Sequence, residues 1–215
     1  MILDNKIYIK EYIPSITNRI VIFIHGLGGS KENVERYTKV LNDNNIGVIS
    51  YDGPSQGEDK TPNNKYFFIQ CLSYLDRVIE YVYIKYHKDI VLFGTSYGGF
   101  IVLSYLLNHD YEAILTNPAI NMYDILQSTF PYDLYEESIN DIKEKQELIY
   151  NHKYNNICII QGNNDSIVNY KLVEEFSNKN NLILNIIDGG EHELFNYVDI
   201  VSALLVKGVY HEEKV

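Results

Sequence analysis

The apolar run Ile90-Val91-Leu92-Phe93 leads straight into Gly94-Thr95-Ser96-Tyr97-Gly98-Gly99, and a second apolar run, Phe100 to Leu107, follows at once. A buried strand and a helix joined this closely leave only a sharp turn for the residues between them. A serine at the apex must take a left-handed backbone conformation, which costs energy for any residue with a Cβ. Glycine at 94 and 98 lets strand and helix pass close to one another across the turn. Gly-x-Ser-x-Gly between a strand and a helix is the pattern of a nucleophile elbow. It holds a hydroxyl at a helix N-terminus, whose dipole favours developing negative charge. Read without chemistry, the same residues are a tight turn with an inert serine.

A nucleophilic serine needs a base, an acid that orients the base, and donors for the oxyanion. The chain offers a candidate for each. Leu182-Ile183-Leu184-Asn185-Ile186-Ile187 reads as a strand and runs into Asp188-Gly189-Gly190-Glu191-His192. Ile157-Cys158-Ile159-Ile160 reads as a buried strand and runs into Gln161-Gly162-Asn163-Asn164-Asp165. Ser96, Asp165 and His192 therefore each lie just beyond a strand's carboxyl end, where open α/β sheets gather their functional loops. Asp188, Glu191 and Asp124 are rivals for the acid. Asp165 is preferred because it ends its own strand and can approach His192 from the side. Arg19 to Ile24 is a further buried-strand run, followed by His25-Gly26-Leu27-Gly28-Gly29. The backbone amides of Leu27 and of Tyr97, the residue after the serine, are the expected oxyanion donors. His25 reads as a brace for this glycine loop, and Asp52 as a structural loop residue.

Together these motifs resemble the α/β-hydrolase superfamily, in the branch of carboxylesterases, monoacylglycerol lipases and serine aminopeptidases. The resemblance runs from about Arg19 to Val206. It rests on His25-Gly26-Leu27-Gly28-Gly29, on Asp52 within Ser50-Tyr51-Asp52-Gly53-Pro54-Ser55-Gln56-Gly57, on the elbow, and on the Asp165 and His192 loops. It implies hydrolysis of an ester, amide or thioester through an acyl-enzyme, with no cofactor. Two positions depart from the family pattern. Gln56 stands where a Gly-His-Gly loop has its histidine, and Glu191 stands where glycine often precedes the histidine.

Strand and helix patterns alternate along the rest of the chain, which predicts an α/β fold: a mostly parallel central sheet with helices on both faces and a small helical cap. An opening strand is expected at about Lys6 to Ile13. Val34, Tyr37 and Leu41 mark a first helix, and Gly47 to Tyr51 a strand. Phe68, Leu72, Leu75, Ile79, Val82 and Tyr86 form one apolar stripe on a long helix. Tyr111 to Thr116 is a strand, and Leu194, Val198, Val201 and Leu205 give a last helix its buried face. Residues 1–215 read as one domain. Residues 119–152, which lack a strand signal, read as a cap insertion. Their apolar side chains include Met122, Tyr123, Ile125, Leu126, Phe130, Tyr132, Leu134 and Tyr135, and Glu136 to Asn151 looks helical. The segment is acidic. It reads either as a solvated outer helix face or as a lid whose aromatic underside walls the pocket.

The formal charge of −11 argues against nucleic acid, anionic membrane surfaces and polyanionic substrates as partners. No apolar run approaches membrane-spanning length and the start lacks a signal-peptide core, so a cytoplasmic protein is expected. Cys71 and Cys158 are expected as packed free thiols, and no Cys/His cluster has zinc spacing. His87, His109 and His211 read as surface residues, while His152 lies near the cap end. The first reading of function is a serine hydrolase that cleaves a small carboxylic ester. The second is an aminopeptidase or thioesterase with the same three residues. The third is a non-catalytic ligand-binding module on the same scaffold.

Overall fold

A computed structural model describes residues 1–62, 67–129 and 139–210. The chain opens with the short strand β1 (Ile2–Leu3) and β2 (Ile7–Tyr12), an antiparallel pair. Next come β3 (Arg19–Ile24), a 3-10 turn over Lys31–Val34, α1 (Glu35–Asp43) and β4 (Ile46–Tyr51). The long helix α2 (Phe67–Tyr86) leads to β5 (Asp89–Thr95), α3 (Tyr97–Leu106) and β6 (Glu112–Thr116). Two helices, α4 (Met122–Thr129) and α5 (Ile139–Asn151), precede β7 (Ile157–Gly162). The order closes with α6 (Tyr170–Asn180), β8 (Ile183–Ile187) and α7 (Val198–Tyr210).

The strands form one eight-stranded sheet in the order β1-β2-β4-β3-β5-β6-β7-β8. β2 runs antiparallel to β4, and every pairing from β4 through β8 is parallel. Parallel strands covered on both faces read as continuous apolar runs, and β3 illustrates why. Ile20, Ile22 and Ile24 enter one core with α2, α3 and α6, whereas Val21 and Phe23 enter a second core with α1 and α7. The expected mostly parallel sheet with helices on both faces is therefore present.

Three details differ from the sequence pattern. β1 is only two residues long, too short to carry a period. Leu194 is buried but precedes the last helix, in a left-handed conformation with φ 52°. The helix expected over Glu136–Asn151 is described from Ile139. Of the residues read from sequence as a cap, Phe130, Tyr132, Asp133, Leu134, Tyr135, Glu136 and Glu137 lie outside the described residues, as does His211.

Candidate active site

β5 ends at Thr95 and α3 begins at Tyr97, so Ser96 is the single residue between strand and helix. Its φ of 51° and ψ of −118° lie in the region that disfavours a Cβ. The bend survives because its surroundings determine it. Ser96 N–H donates to Thr116 O on β6, while its carbonyl accepts from Gly99, Phe100 and Ala119. Gly98 shows why the fifth residue of the elbow has no side chain. A Cβ there would stand 2.1 Å from the carbonyl oxygen of Ile24 at the end of β3. The first turn of α3 thus lies directly against the loop that carries Leu27.

Three strand ends bring together Ser96, His192 and Asp165. Ser96 Oγ–H donates to His192 Nε2 over 2.9 Å. His192 Nδ1–H donates to Asp165 Oδ2 over 2.8 Å. A carboxylate only accepts, so the proton belongs on Nδ1 and Nε2 is left as the acceptor that faces the serine. Asp165 is held in turn. Its Oδ1 accepts the amides of Ile167 and Val168, at 2.8 and 2.9 Å, and its side chain is fully buried. The Asp165 and His192 loops touch backbone to backbone, since a Cβ on Gly162 would fall 2.2 Å from Gly190 O.

The rival acids go elsewhere. Asp188 accepts from Asn163 Nδ2, Asp124 accepts from Gln146 Nε2, and Glu191 is exposed. His152 packs edge-on against Tyr154 and lines a separate cavity with His109.

Leu27 and Tyr97 line the same cavity as Ser96 and His192, with a volume of about 520 Å3, a size suited to a small molecule. Met122 and Ile125 of α4 and Ile167 add apolar surface to it. The glycine loop is braced by two side chains. His25 Nδ1–H donates to Gly26 O at 2.7 Å, and His25 Nε2 accepts Gly53 N–H at 3.0 Å. Both bonds belong to the neutral ring, and burial holds the His25 pKa below its ordinary value. Gln56, the departure from the Gly-His-Gly pattern, accepts Gly28 N–H at 2.6 Å. Behind this loop the buried carboxylate of Asp52 accepts the backbone amides of Lys31 and Glu58 and pairs with Lys31 Nζ at 2.7 Å. Asp52 is therefore a structural anchor, as its sequence context predicts.

One residue of the site has no motif to announce it. Asn117, fully buried just past β6, has φ 44°. Its Nδ2 donates to the carbonyls of Glu191 and His192, at 3.1 and 2.6 Å, and its Oδ1 accepts Gly162 N–H at 2.8 Å. It ties the histidine loop to β7. Its place in Thr116-Asn117-Pro118, directly after a buried strand, was the available signal.

Cys71 and Cys158 are buried free thiols, and burial pushes their pKa values up to about 12 and about 11. Among the described residues, no group of three or more His, Cys, Asp and Glu is arranged to hold a metal ion. Nor is any described helix long and apolar enough to cross a membrane.

A serine bend on the fifth strand of a mostly parallel sheet, with acid and histidine loops beyond later strands, defines the α/β-hydrolase fold. The serine aminopeptidase S33 family matches residues 16–137; the chain belongs to this family of hydrolases. Comparison with curated protein sequences finds no significant match. Solved structures share the fold at low identity. Est1E from Butyrivibrio proteoclasticus with ferulic acid bound is 19% identical, with a TM-score of 0.81, covering 97% of this chain and 96% of that one. The monoacylglycerol lipase of Paleococcus ferrophilus is 16% identical, with a TM-score of 0.70 and coverage of 94% and 99%. XC6422 from Xanthomonas campestris, an α/β serine hydrolase without a lid, is 16% identical, with a TM-score of 0.71 and coverage of 97% and 90%.

Proposed function

We propose that this protein is a serine hydrolase that cleaves a small carboxylic ester through an acyl-enzyme. The observation that carries the reading is the unbroken hydrogen-bond chain Ser96–His192–Asp165 at the wall of a cavity. In the reaction, Ser96 Oγ attacks the ester carbonyl and its proton passes to His192 Nε2. Asp165 stabilises the imidazolium that results. The amides of Leu27 and Tyr97 receive the oxyanion, and loss of one such donor typically costs about 3 kcal/mol of barrier. His192 then protonates the departing alcohol. Water, deprotonated by the same nitrogen, releases the acid and restores Ser96.

Residues 1–215 are read as one domain with 119–152 as a cap. Met122 and Ile125 on the cavity wall support a cap that contacts the acyl or alcohol group. Est1E with ferulic acid and the monoacylglycerol lipase, two proteins of the same fold, are consistent with an ester as substrate. The family's aminopeptidase description and Glu193 at the cavity favour a second reading, an aminopeptidase whose substrate ammonium meets that carboxylate. A panel of short and long neutral esters, thioesters and aminoacyl amides separates the readings. Within this panel the ester reading expects the highest kcat/KM on the short or aromatic esters. Preference for aminoacyl amides would replace it with the aminopeptidase.

A further inference from the structure

We infer that Arg36 is a specificity-determining residue that recognises a carboxylate on the substrate. The inference rests on the proposed hydrolase site and narrows its substrate to an ester bearing a carboxylate. Arg36 of α1 lines the cavity with Ser96 and His192, and among the described lining residues it is the one lysine or arginine. The chain has 29 acidic residues against 18 basic ones, so cations are easily partnered. Arg19, Lys31, Lys39, Arg77 and Lys85 each pair with a carboxylate. Arg36 forms no such pair among the described residues.

It is nevertheless held in position. The guanidinium carbon lies 4.7 Å from the centroid of the Phe195 ring and 5.1 Å from that of Tyr37. Nη1 donates to the backbone carbonyl of Glu193 at 3.3 Å, while the buried Nε has no hydrogen-bond partner. Stacking and a carbonyl orient a guanidinium without neutralising it. Glu193 also lines the cavity, but the residue is exposed and makes no ion pair with Arg36 among the described residues. A positioned guanidinium with no carboxylate partner among the described residues, in the same cavity as the Ser96 hydroxyl, fits the planar, two-oxygen geometry of a carboxylate. The acidic remainder of the molecule repels polyanions at a distance. The combination selects a small substrate with one negative group.

The test compares kcat/KM for two matched pairs: monoethyl adipate against ethyl hexanoate, and 4-carboxyphenyl butyrate against phenyl butyrate. The first places the carboxylate on the acyl side and the second on the alcohol side. In the wild type at least one pair should favour the anion by about tenfold, and added salt should narrow that margin. Arg36→Met should abolish the preference, and Arg36→Lys should retain part of it. Calorimetric binding of monoethyl adipate and 4-carboxyphenyl butyrate to Ser96→Ala and to Ser96→Ala/Arg36→Met gives the same comparison without turnover. Absence of an Arg36-dependent preference in both pairs and in binding overturns the inference. Loss of turnover and of Ser96 labelling by a neutral fluorophosphonate, with anion binding still dependent on Arg36, would instead overturn the hydrolase reading.

Discussion

Asn117 Nδ2 donates to the carbonyl oxygen of His192 across 2.6 Å, a contact between residues 75 apart in sequence. The same side chain takes the amide of Gly162, so one buried amide group fixes the histidine loop against the strand that carries Asp165. Asn117→Ala removes these bonds and leaves a buried N–H without an acceptor, at about 1–3 kcal/mol. The expected outcome is a lower urea midpoint together with a fall in kcat larger than the change in KM, because His192 loses its orientation. Urea denaturation and steady-state kinetics on the same preparation check it. A variant with wild-type kcat would remove Asn117 from the site's support.

Asp165→Asn should reduce the rate by about 10⁴-fold, since an amide no longer selects the tautomer with the proton on Nδ1. Asp188→Asn, Asp124→Asn and Glu191→Gln should each change it only mildly, because none of these side chains reaches His192. The four variants measured side by side give the answer. A crippled Asp188, Asp124 or Glu191 variant beside an active Asp165→Asn would move the acid role.

Legibility from sequence divides along physical lines. Buried strands and the long helix α2 announce themselves through apolar runs and spacing, and Ser96, Asp165 and His192 stand at the ends of such runs. The supports of the site do not. Asn117, the Lys31–Asp52 pair and Gln56 act through contacts between residues distant in the chain, and a single polar residue has no period. Arg36 is likewise an ordinary exposed-looking arginine until α1 is folded beside the cavity. Leu194 shows the limit of the periodic signal itself, because it continues the apolar spacing of α7 while lying outside the helix in a left-handed turn.

His25 predicts a pH signature in stability. Burial holds its folded-state pKa below the ordinary 6.5, so above that value both folded and unfolded states carry neutral imidazole and its bonds to Gly26 and Gly53 contribute fully. As pH falls below 6.5, the unfolded chain takes up a proton that the folded chain refuses. Stability then drops by up to about 1.4 kcal/mol per pH unit until the folded-state pKa is reached. His25→Gln should be less stable at pH 7.5 and should lack this share of the acid slope. Urea unfolding from pH 7.5 to 5 measures both curves, and parallel slopes would contradict the buried neutral ring.

In the proposed reaction Ser96 is a nucleophile activated by His192. A neutral fluorophosphonate probe, followed by peptide mass spectrometry, tests it most directly. One phosphonylated residue is expected, Ser96, with labelling abolished in Ser96→Ala and severely slowed in His192→Ala. Turnover of the best ester should fall by several orders of magnitude in either variant, roughly as when a comparable serine or histidine is removed elsewhere. Labelling that persists in Ser96→Ala, or a wild-type protein that leaves Ser96 unmodified, would contradict it.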